Sequence, residues 1–500
     1  NGDHTIFIPK EKLGVFSLNN STGKIEKRQI QYAWRLIGGR TIKIKLRNGF
    51  EIETTPEHKY IVFREDIKEI EAENLKLGDR IVCARKLNIE VDENTIKEKI
   101  INKLSEKNFY VKLNKEFSKE LNNKILNYGI NNLSLTIKPK SFYHGIWQNR
   151  YSLKDLIEIA KIFSINLNEL YNKIDVIFFR TGKQRGGNSN PIKLPQNFEE
   201  FFYLAGLFSG DGSGKKFIAG KKQLAENVQR ICKSLGFDTK RVESKNRTPE
   251  IHTNLTLIEI FNSLFAYPLK QKSHNIRVSQ FLSARDNKLI AFFIRGYFDT
   301  DGCVEKSRRA VTISSASKKM IDDLHLLLLR FGCVAIKEKD NTLAISGISA
   351  INFEKEIGFG LKEKTEKLKI LVERVAGNTV CDAVRSGNQI LLLKKKLGDL
   401  INEDLSYIEV NKIESGFEDV VYDFTISETH NFIAEGMAIH NTALTDNLLA
   451  ASGFMAAKNA GNLDEGMTTW QHSDEQERLM TVDAANVSMV HNFHGEEYLI

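Results

Sequence analysis

In residues 41–55, TIKIKLRNGFEIETT, apolar and polar positions alternate with period two on both sides of Asn48-Gly49. Alternation predicts half-buried strands, and Asn-Gly between two such runs predicts a tight hairpin turn. Residues 1–90 as a whole read as short strands. From 92 to 185 the text becomes rich in Lys and Asn, and residues 152–174 place apolar side chains near i, i+3, i+4 and i+7, a helical period. RTGKQRGGNSNP, 180–191, reads as a Gly-rich basic linker, with Arg180, Lys183 and Arg185 as candidate phosphate contacts. Residues 195–400 mix both periods. Residues 407–441 return to strand text, with VVYDFTI its clearest piece. Beyond 442 the pattern predicts an amphipathic helix, a loop rich in Gly, Asp and Glu, and a strand in TVDAANVSMVHNF.

Composition changes little in this picture. The chain has 500 residues, 41% hydrophobic and 27% charged, which suits three or four ordinary globular domains. No apolar run is long enough to cross a membrane as a helix, and NGDHTIFIPK is no signal peptide. Cys83, Cys232, Cys303, Cys333 and Cys381 are scattered without a C-x-x-C pair. That argues against a zinc knuckle or disulfide scaffold and predicts a reduced, cytoplasmic setting. Charge is more telling. Residues 442–500 carry nine acidic against two basic side chains, so the net +8 conceals −7 there and +15 on residues 1–441. A basic body joined to an acidic tail predicts two units with different partners, and the body is a candidate for nucleic acid.

One internal repeat is plain. FFYLAGLFSGDGSG (201–214) and AFFIRGYFDTDGCV (291–304) align with Gly206 on Gly296 and Asp211 on Asp301. Each reads as an apolar helix ending in Asp-Gly. A carboxylate at a helix C-terminus faces the negative end of the dipole, at a cost of up to about 1 kcal/mol. Gly206 and Gly296 would let two such helices pack with their backbones close, bringing the two carboxylates side by side, which is worse still. Bound divalent cations would relieve this. Carboxylate oxygens suit Mg²⁺, which completes its shell with substrate phosphates, so the pattern points to phosphodiester hydrolysis.

These paired stretches resemble the motifs of the LAGLIDADG (dodecapeptide, DOD-type) homing endonucleases. The resemblance implies two pseudo-symmetric α+β halves meeting at a helical seam, each with strands that form a saddle over double-stranded DNA. It implies Asp211 and Asp301 as metal-binding catalytic acids. Ser209 stands where the motif's first Asp usually lies. A basic residue between the motifs is also implied, and LKQKSHNIRV offers Lys272 rather than Lys270. Residues 141–174 resemble a helix-turn-helix module whose second helix would enter the major groove. The insert at 92–190 is therefore expected to be a small α-helical DNA-recognition domain.

The tripeptide His440-Asn441-Thr442 sits on the charge seam. An Asn side-chain amide can attack its own backbone carbonyl. His440 can assist departure of the following nitrogen, and Thr442 offers a hydroxyl nucleophile. VVYDFTISETHNFIAEGMAIHNT closely resembles the C-terminal splicing blocks of inteins, and RNGFEIETTPEHKYIV their Thr-x-x-His block. The resemblance implies Thr55 and His58 as the pair that polarises the upstream scissile amide, and Asp423 and His430 as assistants of later steps. It implies an all-β Hint (horseshoe or disk) splicing domain, formed by both ends and interrupted by the nuclease. An intein begins with Cys or Ser; position 1 here is Asn1, so the chain reads as starting inside its first block.

The acidic stretch from Thr442 resembles the start of translation elongation factor 2 of archaeal or eukaryotic type. The resemblance implies a fragment of an α/β G domain whose complete form binds GTP and Mg²⁺ and works on the ribosome. Thr442 would be the hydroxyl residue of the phosphate loop and Thr481 the switch-I threonine. Ala443, Leu479 and Met480 depart from the usual residues. The expected multidomain order is 1–91 and 405–441 for the splicing domain, 92–190 for the insert, 195–400 for the nuclease and 442–500 for the host flank. Splicing would use host flanks in cis and no cofactor. Two other readings stay open: a free-standing DNA endonuclease or DNA-binding regulator, and a GTPase whose insert is incidental.

Overall fold

The computed structural model describes residues 5–9, 13–19, 21–64, 67–89, 91–133, 139–181, 189–244, 247–376, 404–426, 428–440, 490–493 and 496–499. Two compact units are present: one comprises residues 1–88 and 380–500 together with 332–337, the other 89–331 and 338–379.

The first unit is antiparallel β. Its strands are β1 (Thr5–Phe7), β2 (Gly14–Leu18), β3 (Ile25–Leu46), β4 (Glu51–Thr54), β5 (Lys59–Phe63), β6 (Ile67–Glu71), β7 (Arg80–Ala84), β8 (Leu405–Ile426), β9 (Asn431–Ala434) and β10 (Met437–His440). The order β1-β3-β8-β7-β10-β5-β6 interleaves both ends of the chain, with β2 and β4 also on β3 and β9 on β10. The Asn48-Gly49 turn is where alternation predicts it: Gly49 has φ +94°, and Lys45 pairs with Glu51 across the hairpin. The expectation of short strands fails for β3 and β8, which are 22 residues each. Gly38-Gly39 would read as a break, yet the strand runs through it. Gly38 lies against the β8 backbone so closely that a Cβ there would meet the Glu418 carbonyl carbon at 2.7 Å. The core of this unit includes Ile44, Tyr60, Val62, Ile81, Val82, Cys83 and Met437, all buried.

The second unit contains residues 92–190 as well as the repeat. The expected helical insert is mixed. Helices such as Ile96–Ser105 and Lys115–Tyr128 accompany a three-stranded antiparallel sheet of Phe109–Leu113, Tyr151–Ser152 and Ile174–Phe179. The sequences FYVKL and IDVIFF are short aromatic and β-branched runs, which periodicity alone does not separate from buried helix. Helices Leu153–Ile162 and Leu167–Lys173 are joined by a short turn in which Ser164 has φ +52°. In the second of them, Asn172 Oδ1 accepts from Lys97 Nζ at 2.8 Å, and Asn168 Oδ1 accepts from Glu98 N–H.

The repeat becomes two similar halves. Helix α1 (Phe198–Asp211) leads into strands Gly212–Ser213, Lys216–Ile218 and Arg247–His252, with Lys240–Ser244 at the edge. Helix α2 (Asn287–Asp301) leads into Gly302–Glu305, Ala310–Ser314 and Thr342–Ser346 in corresponding places. Side-chain caps start both helices: Asn197 Oδ1 accepts from Glu200 N–H, and Asp286 Oδ1 from Leu289 N–H. The helices pack through Gly206 and Gly296. A Cβ on Gly206 would fall inside the Phe293 carbonyl and 3.0 Å from the Tyr297 nitrogen. One on Gly296 would collide with the Tyr203 carbonyl and lie 2.9 Å from the Leu207 nitrogen. These are backbone atoms in helices, so nothing nearby can yield cheaply.

Gly206→Val or Gly296→Val is therefore expected to destabilise the second unit by about 3 kcal/mol or more. Denaturant unfolding measures this; a variant as stable as wild type would show that the seam is not tightly packed.

Candidate functional site

In the first unit the chemistry gathers where β4, β5, β9 and β10 meet. β9 and β10 form a hairpin in which Asn431 pairs with His440, and Ile439 of β10 pairs with Tyr60 of β5. Thr55 and His58 lie in the turn between β4 and β5, where the Thr55 carbonyl accepts from His58 N–H at 3.2 Å. The His58 ring meets the Tyr60 ring edge-on at 6.1 Å, and its Nε2 is buried without a hydrogen-bond partner. Burial holds the His58 imidazole down at about 4. His440 is lowered to about 3, chiefly by burial and further by Lys59, His430 and His58. Burial also lowers His430. His58 and His430 thus both lie close enough to act on His440, and burial disfavours the charged form of all three.

The hairpin register explains part of this. His430 has φ +48°, unusual for a residue with a side chain. The next residue holds it there. The buried Asn431 amide accepts from Leu18 N–H at 2.7 Å and Ser17 Oγ at 3.1 Å, and donates to the carbonyls of Leu18 and Thr429. Its amide is fully used, so β2 is tied to the segment carrying His430. Glu69 Oε1 lies 3.5 Å from His440 Nε2. Asp423 sits in β8 opposite Trp34, and its Oδ1 accepts from the Phe424 N–H. Asn431 is legible beside His430 once the block is recognised. Glu69 carries no signal in the sequence, since only the β5–β6 pairing places it. Asn441, Thr442 and Thr481 lie outside the described residues, as do Lys183 and Arg185. Arg180 is described, with its guanidinium 5.6 Å from the centre of the Tyr110 ring.

In the second unit, Asp211 and Asp301 are the last residues of α1 and α2. Burial raises Asp211, against the pull of Lys272 and Lys364. Asp301 rises to about 6, through burial of its carboxyl and then through the charge of Asp211. Lys272 is lowered to about 8 by burial, although both aspartates oppose this. Its Nζ donates to the carbonyls of Phe208 at 3.3 Å, Ser209 at 2.9 Å and Gly210. A cation therefore closes the C-terminus of α1, beside the acid that the helix dipole disfavours.

The same device closes α2. Lys364 Nζ donates to the carbonyls of Phe298 at 2.9 Å, Asp299 at 2.8 Å, Thr300 at 3.4 Å and Gly302 at 2.6 Å. Sequence reasoning named Lys272 and missed Lys364. The signal was available: Leu269-Lys270-Gln271-Lys272-Ser273 recurs as Leu361-Lys362-Glu363-Lys364-Thr365, an extension of the internal repeat. Two acids and two ammonium groups thus meet at paired helix ends. Among the described residues there is no cluster of three or more His, Cys, Asp or Glu side chains suited to a metal ion. The two carboxylates nevertheless fit a hard cation that takes its remaining oxygens from water and a phosphate substrate, because each raises the cost of the other's charge.

Comparison with known proteins agrees with the β unit. The sequence model of the family described as "Intein splicing domain" matches residues 7–441. Elongation factor 2 of Methanopyrus kandleri is 34% identical, over 99% of this chain and 43% of that protein. A probable translation initiation factor IF-2 of Methanocaldococcus jannaschii is 28% identical, over 92% of this chain and 46% of that one. The chain thus spans less than half the length of these curated relatives. Among solved structures, the PabCDC21-1 intein aligns at 28% identity with a TM-score of 0.14, covering 15% of this chain and 45% of that one. The G-1F mutant of the Ssp DnaB mini-intein variant M86 aligns at 20% identity with a TM-score of 0.15, covering 17% and 52%. With the family match running from β1 to the end of β10, the chain belongs to the intein splicing domain family.

Proposed function

We propose that the first unit excises itself from a translational GTPase precursor, with residue 441 as the last residue of the excised segment. The observation that carries this reading is the approach of His58 and His430 to His440, the residue that precedes 441 in the chain. The Asn441 side-chain nitrogen attacks the Asn441 carbonyl carbon. The bond to the Thr442 nitrogen breaks, that nitrogen leaves as an amine with the added proton, and the excised segment ends in a succinimide. His440 is neutral at rest, so it assists by donating a hydrogen bond to the carbonyl or relaying a proton to the leaving nitrogen, not as a standing imidazolium. Thr55 and His58 polarise the upstream amide, Asp423 and His430 serve later steps, and the Thr442 hydroxyl is the downstream nucleophile.

A host of elongation factor 2 type is supported by where the relatives' coverage extends. The M. kandleri elongation factor aligns over 99% of the chain, which takes in residues past 441. In that host, Thr442 and Thr481 would contact GTP-bound Mg²⁺, and the spliced protein would work in the cytoplasm on the ribosome. No helix among the described residues is long and apolar enough to cross a membrane.

The second unit we read as a LAGLIDADG endonuclease acting on double-stranded DNA at the uninterrupted host gene. Asp211 and Asp301 would hold Mg²⁺, which when bound supplies charge stabilisation at the scissile phosphate. Lys272 and Lys364 contribute positive charge at the helix ends, where a phosphate would otherwise face two acids and two negative dipole ends. The residues of 92–190 would extend the DNA contact.

Three outcomes are expected. First, Asn441→Ala should abolish release at the 441–442 bond, and His440→Ala should slow it by about a hundredfold, read by mass spectrometry of the chain. Thr442→Ala in a precursor with host sequence on both sides should block ligation as well as nucleotide binding by the host. Unchanged processing in Asn441→Ala would end the splicing reading. Second, release should show no inflection near pH 6.5. Burial holds His440 down at about 3 and His58 at about 4, below their unfolded value, so stability of the first unit should fall as pH drops from about 6.5 through that range. Third, Asp211→Asn and Asp301→Asn should each abolish Mg²⁺-dependent cutting of DNA spanning the joined host gene. Asp301→Asn should not lower the melting temperature at pH 7, because the carboxylate it removes is held above its ordinary value. Failure of the wild type to cut would refute the nuclease reading.

A further inference from the structure

The two nuclease halves match at Gly206 and Gly296, at Asp211 and Asp301, and at Lys272 and Lys364. They differ at three positions that all touch one carboxylate. Asp299 occupies the place of Ser209, Gly360 the place of Pro268, and Phe293 the place of Tyr203. The Asp299 side chain is buried. Its oxygens accept from the Gly360 N–H at 3.0 Å, the Leu361 N–H at 3.1 Å and the Tyr203 hydroxyl at 2.7 Å. The Ser209 hydroxyl, by contrast, donates back along its own helix, to the Ala205 carbonyl at 2.9 Å.

The differences are mutually consistent. Pro268 has no N–H, so a carboxylate at position 209 would lack the donor that Gly360 supplies at the matching place. Phe293 has no hydroxyl to offer. Conversely, a Cβ on Gly360 would lie 2.6 Å from Asp299 Oδ2 and 2.9 Å from the Tyr203 hydroxyl, so the second half needs glycine there. Gly360 and Leu361 open the segment that carries Lys364 onto the end of α2. In the first half, the lysine segment is entered through a ring-locked proline. In the second, it is entered through a glycine whose backbone is held by a buried acid.

We propose that Asp299 is a positioning residue. It fixes the 360–364 segment so that Lys364 closes the C-terminus of α2, and the two DNA-cutting half-sites are consequently built unequally, only the Lys364 half depending on Asp299. The strand-cutting part of this inference rests on the endonuclease reading; the positioning part does not.

The test uses the full chain with a supercoiled plasmid carrying the joined host gene, Mg²⁺, and a separate end label on each strand. Asp299→Ser, which copies the first half, should slow cutting of one strand by about tenfold or more and leave the other nearly unchanged, so nicked circles accumulate. Lys364→Ala should slow the same strand, Lys272→Ala the other, and Asp299→Asn, which keeps one acceptor oxygen, should recover part of the loss. Equal slowing of both strands, or of neither, would overturn the unequal half-sites. Acetylation of the folded protein, read by mass spectrometry, tests positioning without DNA. Labelling of Lys364 should rise severalfold in Asp299→Ser while Lys272 labelling stays at the wild-type level, which also reports that the seam is intact. Unchanged Lys364 labelling would overturn the role of Asp299. If the wild type cuts neither strand, the endonuclease reading fails and the labelling still decides the positioning role.

Discussion

The first unit depends on one pairing: β3 against β8, antiparallel from Leu46 opposite Val410 to Ile30 opposite Ile426. These partners lie hundreds of residues apart in the chain. The entropic cost of closing so long a loop grows only with the logarithm of its length, so a whole folded unit can be inserted without undoing the pairing. The energy comes from the two ends of the ladder, where β3 and β8 bury Ile42, Ile44, Leu46 and Val410 at one and Ile30 and Ile426 at the other. Between them, no described residue of β8 from 411 to 425 is fully buried. With β8 in place, β7 and β10 can join it in one sheet, and the end of β10 is thereby delivered to the turn that carries His58.

That delivery makes the chemistry possible. A histidine in water has its midpoint near pH 6.5. Here burial, joined at His440 by the neighbouring Lys59, His430 and His58, keeps His58 and His440 neutral to about pH 4 and 3. The unit therefore stores polar, hydrogen-bonding rings in a place that resists their charging. The second unit solves the opposite problem. It places two acids at the negative ends of two helices and holds them there with lysines on the helix-end carbonyls and with a glycine contact too close for any side chain.

Much of this was legible in the chain. Asn48-Gly49 marked its hairpin because the turn needs a positive φ that glycine adopts freely, and Gly49 has φ +94°. The paired Gly and Asp positions marked the two helices because each half repeats the same local demand. Other features were not legible. The length of β3 was hidden by Gly38-Gly39, a local break signal overridden by a partner strand from the far end of the chain. The sheet within 92–190 was hidden because five-residue apolar runs have no distinctive period. Lys364 was overlooked in Lys-rich text, where one more lysine carries little information until its twin at Lys272 is seen on the same kind of helix end.

The sequence by itself determined which residue types are available and in what order: the splicing blocks, the duplicated Gly-to-Asp helices and the charge boundary at residue 441. These are local or repeated patterns, and local backbone preference together with periodic burial suffices to write them. Only the tertiary structure decided which of them meet. The approach of His58, His430 and His440, the placement of Glu69 beside His440 and the grip of Asp299 on Gly360 all join residues through strand register or helix packing. Such contacts arise because burying one apolar face leaves few arrangements of everything attached to it.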